Sequence, residues 1–203
     1  MPRRYRMEAR AEAVAATRAA IVGAAKELHS SRGVLATSWQ DIAERADVAT
    51  ATVYRHFPTL AELIPACARS VFDLIQPPTV EEAARTFAEI DRASDRFEHL
   101  VRTSCHCYAA GQGWLHAAHR ERDFVPELDA AMRVIEDTLA VLIEAAARRR
   151  LPKRVHALLF VLCDFPFWKS LIDRALPQRT AEETVVRLVR ETVAREGLDH
   201  QEA

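Results

Sequence analysis

The chain has 203 residues, of which 49% are hydrophobic and 28% charged, with only five glycines, so it can bury a sizeable core and is too apolar to remain disordered. A net charge of −1 excludes a basic field over the whole molecule, but residues 1–57 hold nine Arg/Lys against six Asp/Glu while the remainder hold nineteen against twenty-three. Four cysteines without C-x-x-C spacing, no apolar run behind the first arginines, and a longest charge-free apolar stretch (Val155–Cys163) far below the roughly 20 residues of a membrane span predict a reduced, cytoplasmic protein. No Gly-rich phosphate loop, nucleophile elbow or paired-carboxylate signature is present, so neither an enzyme nor a cofactor is expected.

Frequent alanine and arginine, and the absence of β-branched or aromatic runs joined by two-residue turns, predict an all-α chain. Arg3, Arg4 and Arg6 form a basic N-terminal arm. A first helix follows, with Val14, Ile21, Ala25 and Leu28 at helical spacing and Gly33 as its stop. Thr37, with Gln40 three residues on, caps a short helix whose inner face is Trp39, Ile42, Ala43 and Ala46. After a tight break at Asp47–Val48 a second short helix covers about residues 50–57. Thr59 and Glu62 open the next, which reaches Ile75 and stops at Pro77–Pro78. Beyond it, Thr79 and Glu82 read as a capping box, followed by helices over about 93–110, 114–122 and 126–150. Pro152 opens a further helix, and Thr180 with Glu183 caps the last, which ends at Gly197. The predicted division is 1–58, a connecting helix 59–78, and a C-terminal body 79–203.

Two short helices around a tight turn, the first with an inward face and the second with a polar outer face, describe a helix-turn-helix. Relative to Val53, Phe57 lies about 40° round the helix and shares its inner face, whereas Ala51 and Arg55 lie at about 160° and 200°. Small Ala51 permits close approach to a major groove, Arg55 reaches guanine or phosphate, Thr52 touches a base edge, and Tyr54 and His56 donate to phosphates. The Arg3, Arg4, Arg6 arm suits a backbone or a minor groove. By spacing alone, a solvated amphipathic helix fits equally well.

The stretch TSWQDIAERADVATATVYRHFPTLAELI resembles the DNA-binding domain of the TetR family of transcriptional regulators, with Ile42-Ala43, Val48, Thr52, Tyr54, His56-Phe57 and Glu62-Leu63 in register. The resemblance covers about residues 17–75. It implies a three-helix helix-turn-helix domain plus a C-terminal helical ligand-binding and dimerisation domain. The implied function is a homodimeric repressor on a pseudo-palindromic double-stranded operator, released by a small-molecule effector. Carried over by position, Thr37 or Ser38, Tyr54 and His56 hold phosphates, while Thr50, Thr52 and Arg55 face bases. Asp47, Ala49, Ala51 and Leu60 depart from the family pattern. The other reading this leaves is a small-molecule-binding or protein-interaction module with weak or lost DNA binding.

In the C-terminal body, Cys105, Tyr108, Gln112, His116 and His119 fall on one line if residues 103–119 form one helix. A pocket stripe, a thiol sensor, a metal site and plain core are all compatible with it. Cys105 is about 16 Å along the helix from His116, too far to share an ion, so no metal is expected. Trp114, Phe124, Phe165 and Trp168 are the candidate walls of an effector cavity. For the dimer interface, Leu158, Leu159 and Leu162 form one stripe on a helix apolar all round, and Val185, Val186, Val189 and Val193 form another.

Overall fold

The computed structural model describes residues 2–75 and 78–199, apart from the side chains of residues 2–6, 8, 70, 71 and 73–75. Among the described residues every regular element is a helix: α1 (Pro2–Arg32), α2 (Trp39–Arg45), α3 (Thr50–His56), α4 (Leu60–Ile75), α5 (Val80–Thr86), α6 (Ala93–Glu121), α7 (Pro126–Ala147), α8 (Lys153–Cys163), α9 (Phe165–Asp173) and α10 (Gln178–Arg195). No single one of them is long and apolar enough to cross a membrane.

Local chemistry sets most of the boundaries. Ser38, not Thr37, caps α2: its hydroxyl accepts from the Asp41 N–H while Asp41 accepts from the Ser38 N–H, a complete capping box. Thr37 instead donates to the Gly33 carbonyl at 2.6 Å. Between α2 and α3, Asp47 takes a left-handed φ of 53°, and the Val48 and Asp47 amides close on the Ala43 and Glu44 carbonyls at 3.0 and 3.3 Å, a Schellman turn. Thr79 and Glu82 cap α5 as predicted.

Besides the α2 cap, four boundaries differ from the sequence reading. The basic N-terminus is no extended arm, because α1 begins at Pro2; the side chains of Arg3, Arg4 and Arg6 lie outside the described residues. Helix α6 runs unbroken through Gly111 and Gly113. Gly113 is there for a close approach: a Cβ on it would stand 2.8 Å from the Ser30 carbonyl oxygen. Asp164 divides α8 from α9 by capping the latter, its carboxylate accepting from the Phe165 N–H. The last helix starts at Gln178 behind Pro177 rather than at Thr180.

The chain forms two compact units, Met1–Leu74 with Gln112–Met132, and Ile75–Gly111 with Arg133–Ala203. In the first, Ile21, Ala25, Ile42, Val53, Phe57 and Leu63 are buried together. In the second, Arg96 is fully buried and spends its guanidinium on carbonyls, donating to Ala146 at 2.5 Å, Ile90 at 2.9 Å and Asp91 at 2.5 Å. Arg148 adds bonds to the carbonyls of Phe87, Ala88 and Ile90. Together they fasten the turn after α5 to the end of α7. The valine stripe of α10 is also internal here: Val185, Val186, Val189 and Val193 are buried against α8 and α9 of the same chain, so they are not a free face. The amphipathic pattern reports that a face is covered, not by what.

Candidate nucleic-acid interface and ligand cavity

Helix α3 presents the face that its spacing predicts. Val53 and Phe57 are fully buried, whereas Ala51, Tyr54 and Arg55 are exposed and Thr50, Thr52 and His56 half-buried. Ser38 is exposed and Thr37 half-buried at the start of α2. The Tyr54 ring packs on Trp39 of α2 at 5.3 Å between centroids, which fixes the direction of its hydroxyl. Ala49 stands at the N-cap of α3 and supplies no side-chain hydrogen bond, a loss of about 1 kcal/mol against serine. Sequence reasoning missed the fastening at the other end. Arg18 of α1 lays its guanidinium 4.0 Å from the Phe57 ring centroid and donates to the His56 carbonyl at 3.0 Å, holding the C-terminus of α3 with a cation.

The loop that leads into α2 is held by a buried carboxylate. Glu121, the last residue of α6, is 4% exposed, and its Oε2 accepts from the Val34 and Leu35 amides at 2.7 and 3.0 Å. Arg120 donates to Oε1 at 2.6 Å and to the Arg32 carbonyl. Burial pushes the Glu121 carboxyl up, but Arg120 and the two amides outweigh it and hold the group below its ordinary range, so it is ionised. Gly33 makes room for it, with a φ of 96° and an ideal Cβ position only 2.0 Å from Oε1. On α2 itself, the Ser38 hydroxyl and amide, with Arg32 at 2.6 Å, bring Asp41 down to about 2.

The second unit forms a half-open cavity of about 250 Å³ among α5, α6 and α7. Its floor is apolar, formed by buried Phe87, Leu100, Tyr108 and Leu139. Exposed Thr86, His99 and Thr103 mark its rim, with Thr138 at the same edge. Of the predicted effector residues, Tyr108 alone lines it. Phe165 and Trp168 stand behind Tyr108, at 5.6 and 6.0 Å between ring centroids, and the Tyr108 hydroxyl donates to the Cys163 carbonyl at 2.8 Å. Cys105 is buried, and burial pushes its thiol up to about 12, so it carries no thiolate at neutral pH. Gln112, Trp114, His116, His119 and Phe124 belong to the other unit, where Trp114 is buried, His116 exposed and Phe124 72% exposed, so none of them walls this cavity. The common stripe is real, because α6 is continuous, but the stripe is shared between two units. Cys107 lines the cavity and was not foreseen. Among the described residues no group of three or more His, Cys, Asp or Glu is placed to hold a metal ion.

A left-handed turn between two short helices, a buried inner face and an exposed polar outer face on the second, and a separate helical unit with its own cavity define a helix-turn-helix regulator fold. Residues 21–67 match the family model of bacterial regulatory proteins, tetR family. The chain therefore carries a TetR-family DNA-binding domain, and DNA-binding transcriptional regulation is what that domain and the surrounding TetR-like fold imply. In fold it is similar to the multidrug binding protein EbrR complexed with imidazole (TM-score 0.61, 20% identity, 92% of this chain and 96% of that one). It is also similar to a transcriptional regulator from Rhodococcus sp. RHA1 (0.63, 19% identity, 91% and 99%). A TerR/AcrR-family transcriptional regulator from Aquifex aeolicus VF5 has the same fold (0.60, 16% identity, 86% and 98%). No curated protein matches the chain in sequence.

Proposed function

We propose that the chain is a homodimeric repressor that binds a pseudo-palindromic operator through α3 and leaves it when a small molecule enters the cavity of the second unit. The observation that carries this reading is the split of α3, with Val53 and Phe57 at 0% exposure and Arg55, Tyr54 and Ala51 open to solvent. Arg55 reads a base edge, Thr50 and Thr52 approach neighbouring bases, and Ser38, Thr37, Tyr54 and His56 position the helix on phosphates. The basic start of α1, with Arg3, Arg4 and Arg6, adds phosphate contacts beside the groove. Arg55→Ala is expected to lose roughly 1–3 kcal/mol of operator affinity and to relax base preference. Fluorescence anisotropy on a duplex selected from a random library checks this. Equal affinity of variant and wild type removes Arg55 from the interface, and a binding constant indifferent to salt removes the DNA function.

Dimerisation runs through the outer face of α8 rather than the valines of α10. Leu158 is 39% and Val161 57% exposed there, and Leu162 is half-buried, whereas Leu159 is fully buried within the chain. A twofold axis over this face covers it with its own copy. Val161→Glu is expected to shift sedimentation from twice 22.8 kDa to the single chain mass at micromolar concentration, and an unchanged dimer assigns the interface elsewhere. The effector acts by favouring one dimer geometry over the other. Two helices are suited to carry that preference: α4, which follows the helix-turn-helix, and α6, whose first half lines the cavity and whose last residue holds the 33–36 loop.

A further inference from the structure

We infer that the effector is an uncharged, largely apolar molecule of one or two fused rings carrying a hydrogen-bond donor, such as a phenolic or alcoholic hydroxyl. This rests on the reading of the cavity as the effector site and names what that site selects. Size sets the first limit, since about 250 Å³ lies at the small end of the roughly 300–1,000 Å³ of drug-sized ligand sites, which suits one or two rings. Charge sets the second. Among the described residues no Asp, Glu, Lys or Arg lines the cavity and His99 stands only at its exposed rim, so a carboxylate or an ammonium ion finds no charged partner on the apolar floor.

Hydrogen-bond direction sets the third. A hydroxyl has one hydrogen to donate and two lone pairs to accept with. Thr86 donates its hydrogen to the Glu82 carbonyl at 2.9 Å, and Thr138 donates its own to the Val134 carbonyl at 2.7 Å. Tyr108 has given its hydrogen to the Cys163 carbonyl. The helical carbonyls thus leave Thr86 and Thr138 facing the cavity edge with lone pairs only. A ligand donor satisfies them and a carboxylate oxygen is repelled. Below that edge Phe87, Leu100 and Leu139 take an apolar ring, with Phe87 already meeting His99 edge to face at 6.1 Å.

The test uses the full chain and four probes of one shape: 2-naphthol, naphthalene, 2-naphthoate and 2-naphthylmethylammonium, by calorimetry at pH 7. The expected order places 2-naphthol first, about five- to tenfold tighter than naphthalene, with both ions weaker still. Thr138→Val keeps shape and removes the acceptor on a rim position, so its thermal stability should match wild type while the naphthol-over-naphthalene preference shrinks. Naphthalene or an ion binding as tightly as 2-naphthol overturns the proposed class and leaves the cavity reading standing. An unchanged preference in both Thr138→Val and Thr86→Val overturns the assignment of the acceptors. No binding by any of the four overturns the class and the cavity reading together.

Discussion

Gly33→Ala is expected to destabilise the N-terminal unit by about 3–5 kcal/mol, measured by urea unfolding. Two independent effects add. A φ of 96° is a conformation that side chains with a Cβ rarely adopt, which costs about 1–3 kcal/mol. The new methyl also lands 2.0 Å from Glu121 Oε1 and 2.8 Å from its Cδ, so the carboxylate must leave. Its departure strands the Val34 and Leu35 amides and separates a 4%-exposed charge from Arg120. Glu121→Gln separates the two effects: it keeps the shape and one acceptor, and should cost about 1–2 kcal/mol. If Gly33→Ala costs less than Glu121→Gln, the loop is not held in the way described. Because the held Leu35 amide lies three residues before the Ser38 cap of α2, both variants should also weaken operator binding more than their stability loss explains. Binding measured well below the unfolding midpoint reads that difference.

What was legible in the sequence was local. The Asp47 turn, the Thr79–Glu82 box and the two faces of α3 depend on residues within one or two turns, and each stands where the pattern placed it. What was not legible joins positions far apart. Glu121 holds amides 87 and 86 residues away, Arg96 reaches a carbonyl 50 residues away, and Arg18 one 38 away. A lone Glu or Arg on a helix carries no mark of such a partner and reads as a solvated charge. Gly113 misled for the same reason: taken locally it breaks a helix, while its actual role is to admit the Ser30 carbonyl. The valines of α10 show the limit of periodicity, which announces a buried face and is silent on whether the cover is this chain or another. The cavity was the least visible, because its walls come from three helices and its useful polar groups are defined by where their hydrogens already point.

Acidification from pH 7 to pH 5 is expected to remove about 2 kcal/mol of stability through one residue, His29. It is 1% exposed on α1, and neither ring nitrogen has a hydrogen-bond partner, so the site holds a neutral imidazole. Burial lowers its pKa from 6.5 to about 4, with Arg32 acting in the same direction and the Glu121 charge opposing both. The unfolded chain takes up a proton on this residue below pH 6.5, and the folded chain does not until about pH 4. The stability is therefore complete above pH 6.5 and drains away as pH falls toward 4. Asp41, lowered from 3.8 to about 2, gives up its stabilisation only as pH falls below about 4 toward 2, outside this window. His29→Leu removes the titrating group and two unsatisfied nitrogens, so it should flatten the profile between pH 7 and 5 and match or exceed wild-type stability at pH 7. Parallel profiles for the two proteins would assign the acid sensitivity to another group. The consequence reaches the operator, because the His29 carbonyl accepts from the Gly33 amide at 2.9 Å. Protonating this ring in the folded chain strains the same turn that Glu121 holds, so the folded protein's operator affinity should hold from pH 7 to 5, fall only as pH approaches 4, and fall less in His29→Leu.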